Sequence, residues 1–358
     1  MRRAVALARR GLGRTSPNPP VGALVVKRGR LIAEGWHRRA GGPHAEVVAL
    51  DRAGGRAQGA TLYVTLEPCA HFGRTPPCVA AIRAAGIARV VVGIGDPNPL
   101  VRGRGLRTLR RAGVEVTTGV LRHEAGAVSA WFRHAVVARR PYVVLKLAAS
   151  LDGRIATTTG ESRWVSGPAA RRFVHDLRDR VDAVMVGAGT VMADDPQLTC
   201  RRTGGRDPLR VVVDGRLRIS PRARVLRVRS GASTLVVTTT AVPRARRAAI
   251  ERAGAEVLAL PGRGGRFALT GLLEALWHRG VVSVLVEGGA DLAAAALREE
   301  VVDRFALILA PKLIGGDGKA LLGSLGLRQL AKAPQFGGDH LVRLGPDLLW
   351  EGAVQYRR

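Results

Sequence analysis

The chain has 358 residues, enough for two domains, since a single core stops growing at roughly 250–300 residues. Apolar residues make up 46% and no run approaches the ~18–20 consecutive apolar residues of a membrane span, which points to a globular, cytoplasmic protein. The net charge of +29 would suit nucleic acid, but it is nearly all arginine and spread through both halves, with only 4% aromatics to stack on bases, so nucleic acid is not the expected partner.

The basic start, Met1-Arg2-Arg3, is followed by no continuous apolar stretch or cleavage site, so no leader peptide is expected. A helix is predicted over 4–11, then strands over 21–27 and 30–34 around a turn at Gly29. Behind Pro43 the pattern is helical over 44–53, strand-like over 61–66 and helical again over 77–85, ending at Gly86. A strand at 89–94 precedes the turn Asp96-Pro97-Asn98-Pro99, and a last helix runs over 121–138. Strands separated by helices argue for a mostly parallel sheet with both faces covered. Arg139-Arg140-Pro141 breaks the pattern, so the domains are expected at 1–139 and 140–358. The second half restarts the alternation, with strands at 142–147, 183–186, 209–213, 234–237 and 283–286. Helices are expected at 168–180, 245–253 and 271–279, and the chain closes on strands at 303–310 and 340–354.

Three cysteines cannot form a disulfide framework, and Cys200 stands alone as a small, partly buried apolar residue. Cys69 and Cys78 are different, because they follow Pro43-His44-Ala45-Glu46 in a strand-to-helix setting. One imidazole and two thiolates make a three-ligand zinc set that leaves the fourth position for water, whereas a closed structural site would want four protein ligands. Zinc lowers the pKa of its bound water toward neutrality, and Glu46, beside the metal without binding it, can shuttle the water's proton to a ring nitrogen and help expel ammonia. His-x-Glu followed by Pro-Cys and a second cysteine is the pattern of zinc deaminases acting on amino-substituted heterocycles. Here residues 70–77 separate the cysteines, where that pattern has two.

The segment Thr65-Leu66-Glu67-Pro68-Cys69-Ala70-His71-Phe72-Gly73-Arg74-Thr75-Pro76-Pro77-Cys78 resembles the bifunctional riboflavin-biosynthesis deaminase/reductases. So do Pro17-Asn18-Pro19-Pro20-Val21-Gly22 and Asp96-Pro97-Asn98-Pro99. In the second half the similarity continues in Lys146-Leu147-Ala148-Ala149-Ser150-Leu151-Asp152-Gly153, Gly160-Glu161-Ser162-Arg163-Trp164, Ala193-Asp194-Asp195-Pro196 and Val286-Glu287-Gly288-Gly289. The resemblance implies an α/β protein: a cytidine-deaminase-like three-layer αβα domain followed by a dihydrofolate-reductase-like α/β domain. It also implies two reactions, zinc-dependent deamination of 2,5-diamino-6-(5-phosphoribosylamino)pyrimidin-4(3H)-one and NADPH reduction of the ribosyl group to ribityl. A phosphorylated pyrimidine would then be the small-molecule partner, and the enzyme a homo-oligomer.

By the same resemblance Asn18, His37, His71, Arg74, Asp96 and Asn98 line the deaminase pocket. The cofactor would touch Ala148, Trp164, Thr190, Asp194 and Gly289, and the reductase substrate Lys146, Ser162, Arg178, Leu198, Arg201 and Glu287. Local roles compete with these assignments: Asn18 and Asn98 precede prolines in turns, Asp96 can cap, and in an arginine-rich chain each arginine can be plain surface charge. The chain departs from the family pattern at Gly215, where a serine hydroxyl is common, at Arg102 and at Ser129-Ala130-Trp131-Phe132, and it starts a few residues short. Gly215 bears on reductase competence. The alternatives are a one-step deaminase with a degenerate second domain and an RNA deaminase that uses the basic surface.

Overall fold

The alternating apolar runs and helical segments build two separate sheets in the computed structural model, which describes residues 1–72 and 76–356. The chain divides into the units Met1–Arg140 and Pro141–Arg358.

In the first unit α1 (Arg2–Arg9) leads into β1 (Gly22–Lys27), β2 (Arg30–Trp36), α2 (Ala45–Ala53), β3 (Thr61–Leu66) and α3 (Cys78–Ala84). Then come β4 (Arg89–Ile94), α4 (Arg104–Arg111), β5 (Glu115–Thr118), α5 (Arg122–Val128) and α6 (Ala130–Ala138). The sheet order is β2-β1-β3-β4-β5. β1 is antiparallel to both its neighbours, while β3, β4 and β5 are parallel. The mostly parallel sheet expected for this half is therefore mixed. Arg28 and Gly29, with φ of 49° and 74°, form a two-residue turn that folds β2 straight back on β1.

Alternation along the strands sorts the side chains into two faces. Ala23, Val25, Leu62 and Val64 share a core with Ala45, Ala49 and Leu50 of α2, while Leu24 packs with Ala4 and Leu7 of α1. Helices thus cover both faces, giving three layers. The one helix expected over 121–138 is two, because Ser129 Oγ donates back to the carbonyls of Ala125 (3.1 Å) and Gly126 (3.4 Å) at the break.

The second unit begins with β6 (Tyr142–Ser150), β7 (Arg154–Ala156), α7 (Pro168–Arg180), β8 (Ala183–Gly187), α8 (Ala188–Asp194) and β9 (Leu209–Val213). It continues with β10 (Thr234–Thr239), α9 (Arg244–Arg252), β11 (Glu256–Leu260), α10 (Leu269–His278), β12 (Ser283–Glu287) and α11 (Ala290–Arg298). The last strands are β13 (Arg304–Ala310), β14 (Lys319–Ala320), β15 (Gln335–Leu344) and β16 (Asp347–Gln355). Nine strands form one sheet in the order β11-β10-β9-β8-β12-β6-β13-β16-β15. All pairings from β11 to β13 are parallel, and the antiparallel hairpin β15–β16 closes one edge. Met185, Val211 and Val237 face the core that holds Leu272 and Leu276 of α10, whereas Val184, Val212 and Val236 share a core with Val191 of α8 and Ile250 of α9. The strand β11 escaped the sequence pattern because it is a short, half-buried edge strand.

Candidate active sites

In the first unit three joints between elements converge. His44 is the N-cap of α2, Glu46 lies in its first turn, Cys69 follows β3 and Cys78 opens α3. His44 Nδ1 lies 3.1 Å from Cys78 Sγ and 3.6 Å from Cys69 Sγ, and the three donor atoms all fall within 4.8 Å of one another. The backbone N–H of Cys78 donates to Cys69 Sγ at 3.3 Å. Hydrogen bonding from Cys78 draws the Cys69 thiol down to about 4, while hydrogen bonding to Cys69 and burial push the Cys78 thiol up. Cys69 in turn raises the His44 imidazole. One imidazole and two thiols competing for the same protons, two of them anchored at helix starts, are a donor set that fits a zinc ion.

Glu46 is 3% exposed, and burial raises its carboxyl above the ordinary range, with the charge of His44 opposing. His37 is also buried; its Nδ1 meets the carbonyl of Pro43 at 3.0 Å and its Nε2 meets Asn18 Nδ2 at 3.1 Å. Burial lowers its imidazole, so the neutral ring joins Asn18 to the residue before His44. Both ring nitrogens of His37 are thus engaged within the chain. Asp96 accepts the N–H of Asn98 on Oδ1 at 2.8 Å, and burial pushes its carboxyl up to about 6. His71 Nδ1 is buried with no hydrogen-bond partner among the described residues. Arg74 lies outside the described residues.

In the second unit Glu287 ends β12 beside Lys146 of β6, its register partner. Arg178 of α7 meets Glu287 in a two-pronged ion pair, Nε to Oε1 at 2.6 Å and Nη2 to Oε2 at 2.8 Å, while its Nη1 donates to the carbonyl of Thr199 at 2.9 Å. Burial acts to raise the Glu287 carboxyl, but the charges of Arg178 and Lys146 outweigh it and hold the group low. Burial lowers the Lys146 amine. Thr190 stands by the Gly288-Gly289 turn: a Cβ on Gly289 would lie 3.2 Å from Thr190 Oγ1. Both glycines have positive φ, and the turn opens α11, leaving a cradle at a helix start.

The other expected contacts are more scattered. Ala148 is half-buried on β6, Ser162 accepts the N–H of Val165 on its carbonyl, and the carbonyl of Asp194 accepts from Arg163 at 2.7 Å. Trp164 is 57% exposed under the guanidinium of Arg171, 4.5 Å from the ring centre. The Leu198 side chain is buried in the core with Val186 and Val212, so only its backbone is placed to meet a ligand. Arg201 is exposed, and its N–H donates to His175 Nδ1 at 3.2 Å. His175, one turn from Arg178 on α7, escaped the sequence reading although the spacing of three puts both on one face. Cys200 is half-buried and donates its thiol to the carbonyl of His175. Gly215 has a packing reason of its own: a Cβ there would lie 2.0 Å from the carbonyl oxygen of Gly265.

The second unit matches the RibD C-terminal domain over residues 141–350, and the first matches the cytidine and deoxycytidylate deaminase zinc-binding region over residues 1–94. The riboflavin biosynthesis protein RibD of Aquifex aeolicus is 42% identical over 350 residues, spanning 98% of this chain and 96% of its own. The chain belongs to the RibD family. The RibD of Escherichia coli is also 42% identical, over 97% of this chain and 96% of its own. Among solved structures, Acinetobacter baumannii RibD superposes with a TM-score of 0.90 at 39% identity, covering 99% of this chain and 97% of its own. A diaminohydroxyphosphoribosylaminopyrimidine deaminase/5-amino-6-(5-phosphoribosylamino)uracil reductase from Thermotoga maritima gives 0.87 at 39% identity, covering 100% and 97%. Like its RibD relatives, the chain carries a zinc-binding deaminase domain and a reductase domain, in the cytidine-deaminase-like and dihydrofolate-reductase-like arrangement expected. Among the described residues no helix is long and apolar enough to cross a membrane.

Proposed function

We propose that this RibD family member carries out two successive steps of riboflavin biosynthesis on a phosphorylated pyrimidine. The first is hydrolytic deamination of 2,5-diamino-6-(5-phosphoribosylamino)pyrimidin-4(3H)-one, and the second is NADPH reduction of the ribosyl group to ribityl. The observation that carries the reading is the meeting of His44, Cys69 and Cys78 beside the buried carboxyl of Glu46.

His44 Nδ1, Cys69 Sγ and Cys78 Sγ would hold a zinc ion, which would activate water for attack at neutral pH. Glu46 would take one proton from the attacking water and pass it to the ring nitrogen, then take the second from the added hydroxyl and deliver it to the amino group, which leaves as ammonia as the C=O bond forms. Burial suits it to both halves of that task, because a raised carboxyl both accepts and returns a proton. Asn18, held by His37, and the Asp96–Asn98 turn present polar groups that orient the pyrimidine, and His71 and Arg74 serve its phosphate.

In the second domain NADPH, when bound, would supply the hydride. Thr190, Gly289, Ala148, Trp164 and Asp194 bind the cofactor, with the Gly288-Gly289 turn at the start of α11 receiving a phosphate. Lys146, Arg178 and Arg201 provide positive charge for the substrate phosphate, Glu287 and Ser162 polar contacts, and Leu198 a backbone contact. The Arg178–Glu287 pair keeps its members at fixed geometry in a nearly dry setting. A cytoplasmic homo-oligomer belongs to the same proposal. One incubation of the purified chain with substrate and NADPH tests it: ammonia release and loss of reduced nicotinamide are expected in succession, and ammonia release alone would leave a one-step deaminase.

A further inference from the structure

Glu67 stands between the last residue of β3 and Pro68-Cys69. It is 4% exposed, and its carboxyl group accepts four backbone N–H groups from one stretch of chain. Oε2 takes those of Asp96 (3.4 Å) and Gly103 (3.0 Å), and Oε1 those of Gly105 (3.1 Å) and Leu106 (3.4 Å). The last three donors are the N-cap and first turn of α4, which have no acceptor inside their own helix. The first lies at the opposite end of the loop that carries Asp96 and Asn98. One carboxyl group therefore pins both ends of that loop to the end of the strand that leads into the zinc ligand Cys69. Gly105 makes the approach possible, since a Cβ there would lie 1.9 Å from the carbonyl oxygen of Pro68 and 3.4 Å from Glu67 Oε1.

We propose that Glu67 is a positioning residue for the deamination, fixing the Asp96–Asn98 turn where it meets the pyrimidine nucleotide; this rests on the deaminase reading above. Cys69 has supports of its own, because its Sγ accepts the N–H of Cys78 and its carbonyl accepts the N–H of Val79 at 3.2 Å. Altering Glu67 therefore moves the substrate-facing turn and leaves the metal ligand in place. Glutamine keeps the size of the side chain but turns one acceptor oxygen into an NH2 donor, facing two of the four backbone N–H groups.

In the full chain, Glu67→Gln is expected to raise KM for the pyrimidine nucleotide by about tenfold to a hundredfold, with a smaller change in kcat. Zinc content and NADPH-dependent reduction of the deaminated substrate stay at wild-type levels, the first, with native exchange over β3, serving as a check on folding of the domain that holds Glu67. Backbone amide exchange accelerates over residues 96–106 and stays native over β3. Gly105→Ala, which pushes α4 off Pro68 from the helix side, gives the same rise in KM. Wild-type KM with native exchange in Glu67→Gln, or loss of zinc as the primary defect in either variant, overturns the proposal. If the unaltered chain releases no ammonia, the deaminase reading itself falls, an outcome distinct from a defect confined to the two variants.

Discussion

At the residue scale the proposed deamination rests on Glu46, and its replacement separates proton transfer from metal binding. Glu46→Gln keeps the volume of a buried side chain and removes the exchangeable carboxyl proton, so ammonia release should fall by about 10²–10⁴-fold with zinc content retained. An ammonia assay beside a metal determination checks this. Asp96 makes a prediction in pH. Its carboxyl titrates at about 6 in the folded chain against 3.8 ordinarily, mainly through burial, so the folded state holds the extra proton between those values. Stability from this group is therefore highest at low pH, declines as pH rises through that window, and is level above it. Asp96→Asn should abolish the slope and stabilise the first domain by about 3 kcal/mol above the window, while weakening deamination. Denaturant titrations on either side of pH ~6 read the difference. In the second domain, Arg178→Met leaves the Glu287 carboxylate buried beside Lys146 with its two-pronged partner gone. A loss of about 3–5 kcal/mol is expected in the unfolding of that domain. His44, Cys69 and Cys78 were legible at this scale because they are rare residue types in a short stretch of chain. Arg178 and Glu287 were not legible as a pair, since they lie 109 positions apart in a chain full of arginine.

The elements act by delivering these residues to one place, and α2 shows how narrow the tolerance is. It rests on β2 at Gly35, where a Cβ would lie 2.5 Å from the carbonyl oxygen of Ala45 and 2.7 Å from the nitrogen of Ala49. Gly35→Ala must lift α2, and with it His44 and Glu46, away from the sheet. We expect about 1–3 kcal/mol of destabilisation and weaker zinc binding, measurable by denaturation and by competition with a chromophoric chelator. The existence of α2, β3 and α3 followed from Pro43, the apolar run 61–66 and Pro77 in the sequence. The break at Ser129 did not, because a serine hydroxyl is equally at home on the surface of a continuous helix. Nor did the mixed sheet of the first unit, where the turn at Arg28-Gly29 reverses β2 before any helix intervenes.

For the whole molecule, two units with separate cores and separate sheets lead us to expect that each proposed activity answers to its own cofactor. Removing zinc with a chelator should abolish ammonia release and leave NADPH oxidation with deaminated substrate unchanged, and added zinc should restore the first activity. Simultaneous assays of ammonia and reduced nicotinamide on the same sample check both statements. Gly215 belongs to this scale too. Read alone, it weakened the case for the reductase; in the fold it accommodates the backbone of Gly265, and its carbonyl accepts the hydroxyls of Thr238 (3.2 Å) and Thr239 (2.9 Å).

The sequence by itself determined the candidate zinc set His44, Cys69 and Cys78 with Glu46 beside it, two α/β domains and the family, because each rests on residues close together in the chain or on ordered strings of them. Only the tertiary structure decided that His37 spends both ring nitrogens inside the chain, that Leu198 is core, and that Glu67 clamps a loop beginning 29 positions away. The physical reason is that a carboxyl or an imidazole announces no partner. Its role is set by which backbone groups the fold leaves unsatisfied beside it, and burial makes satisfying them obligatory.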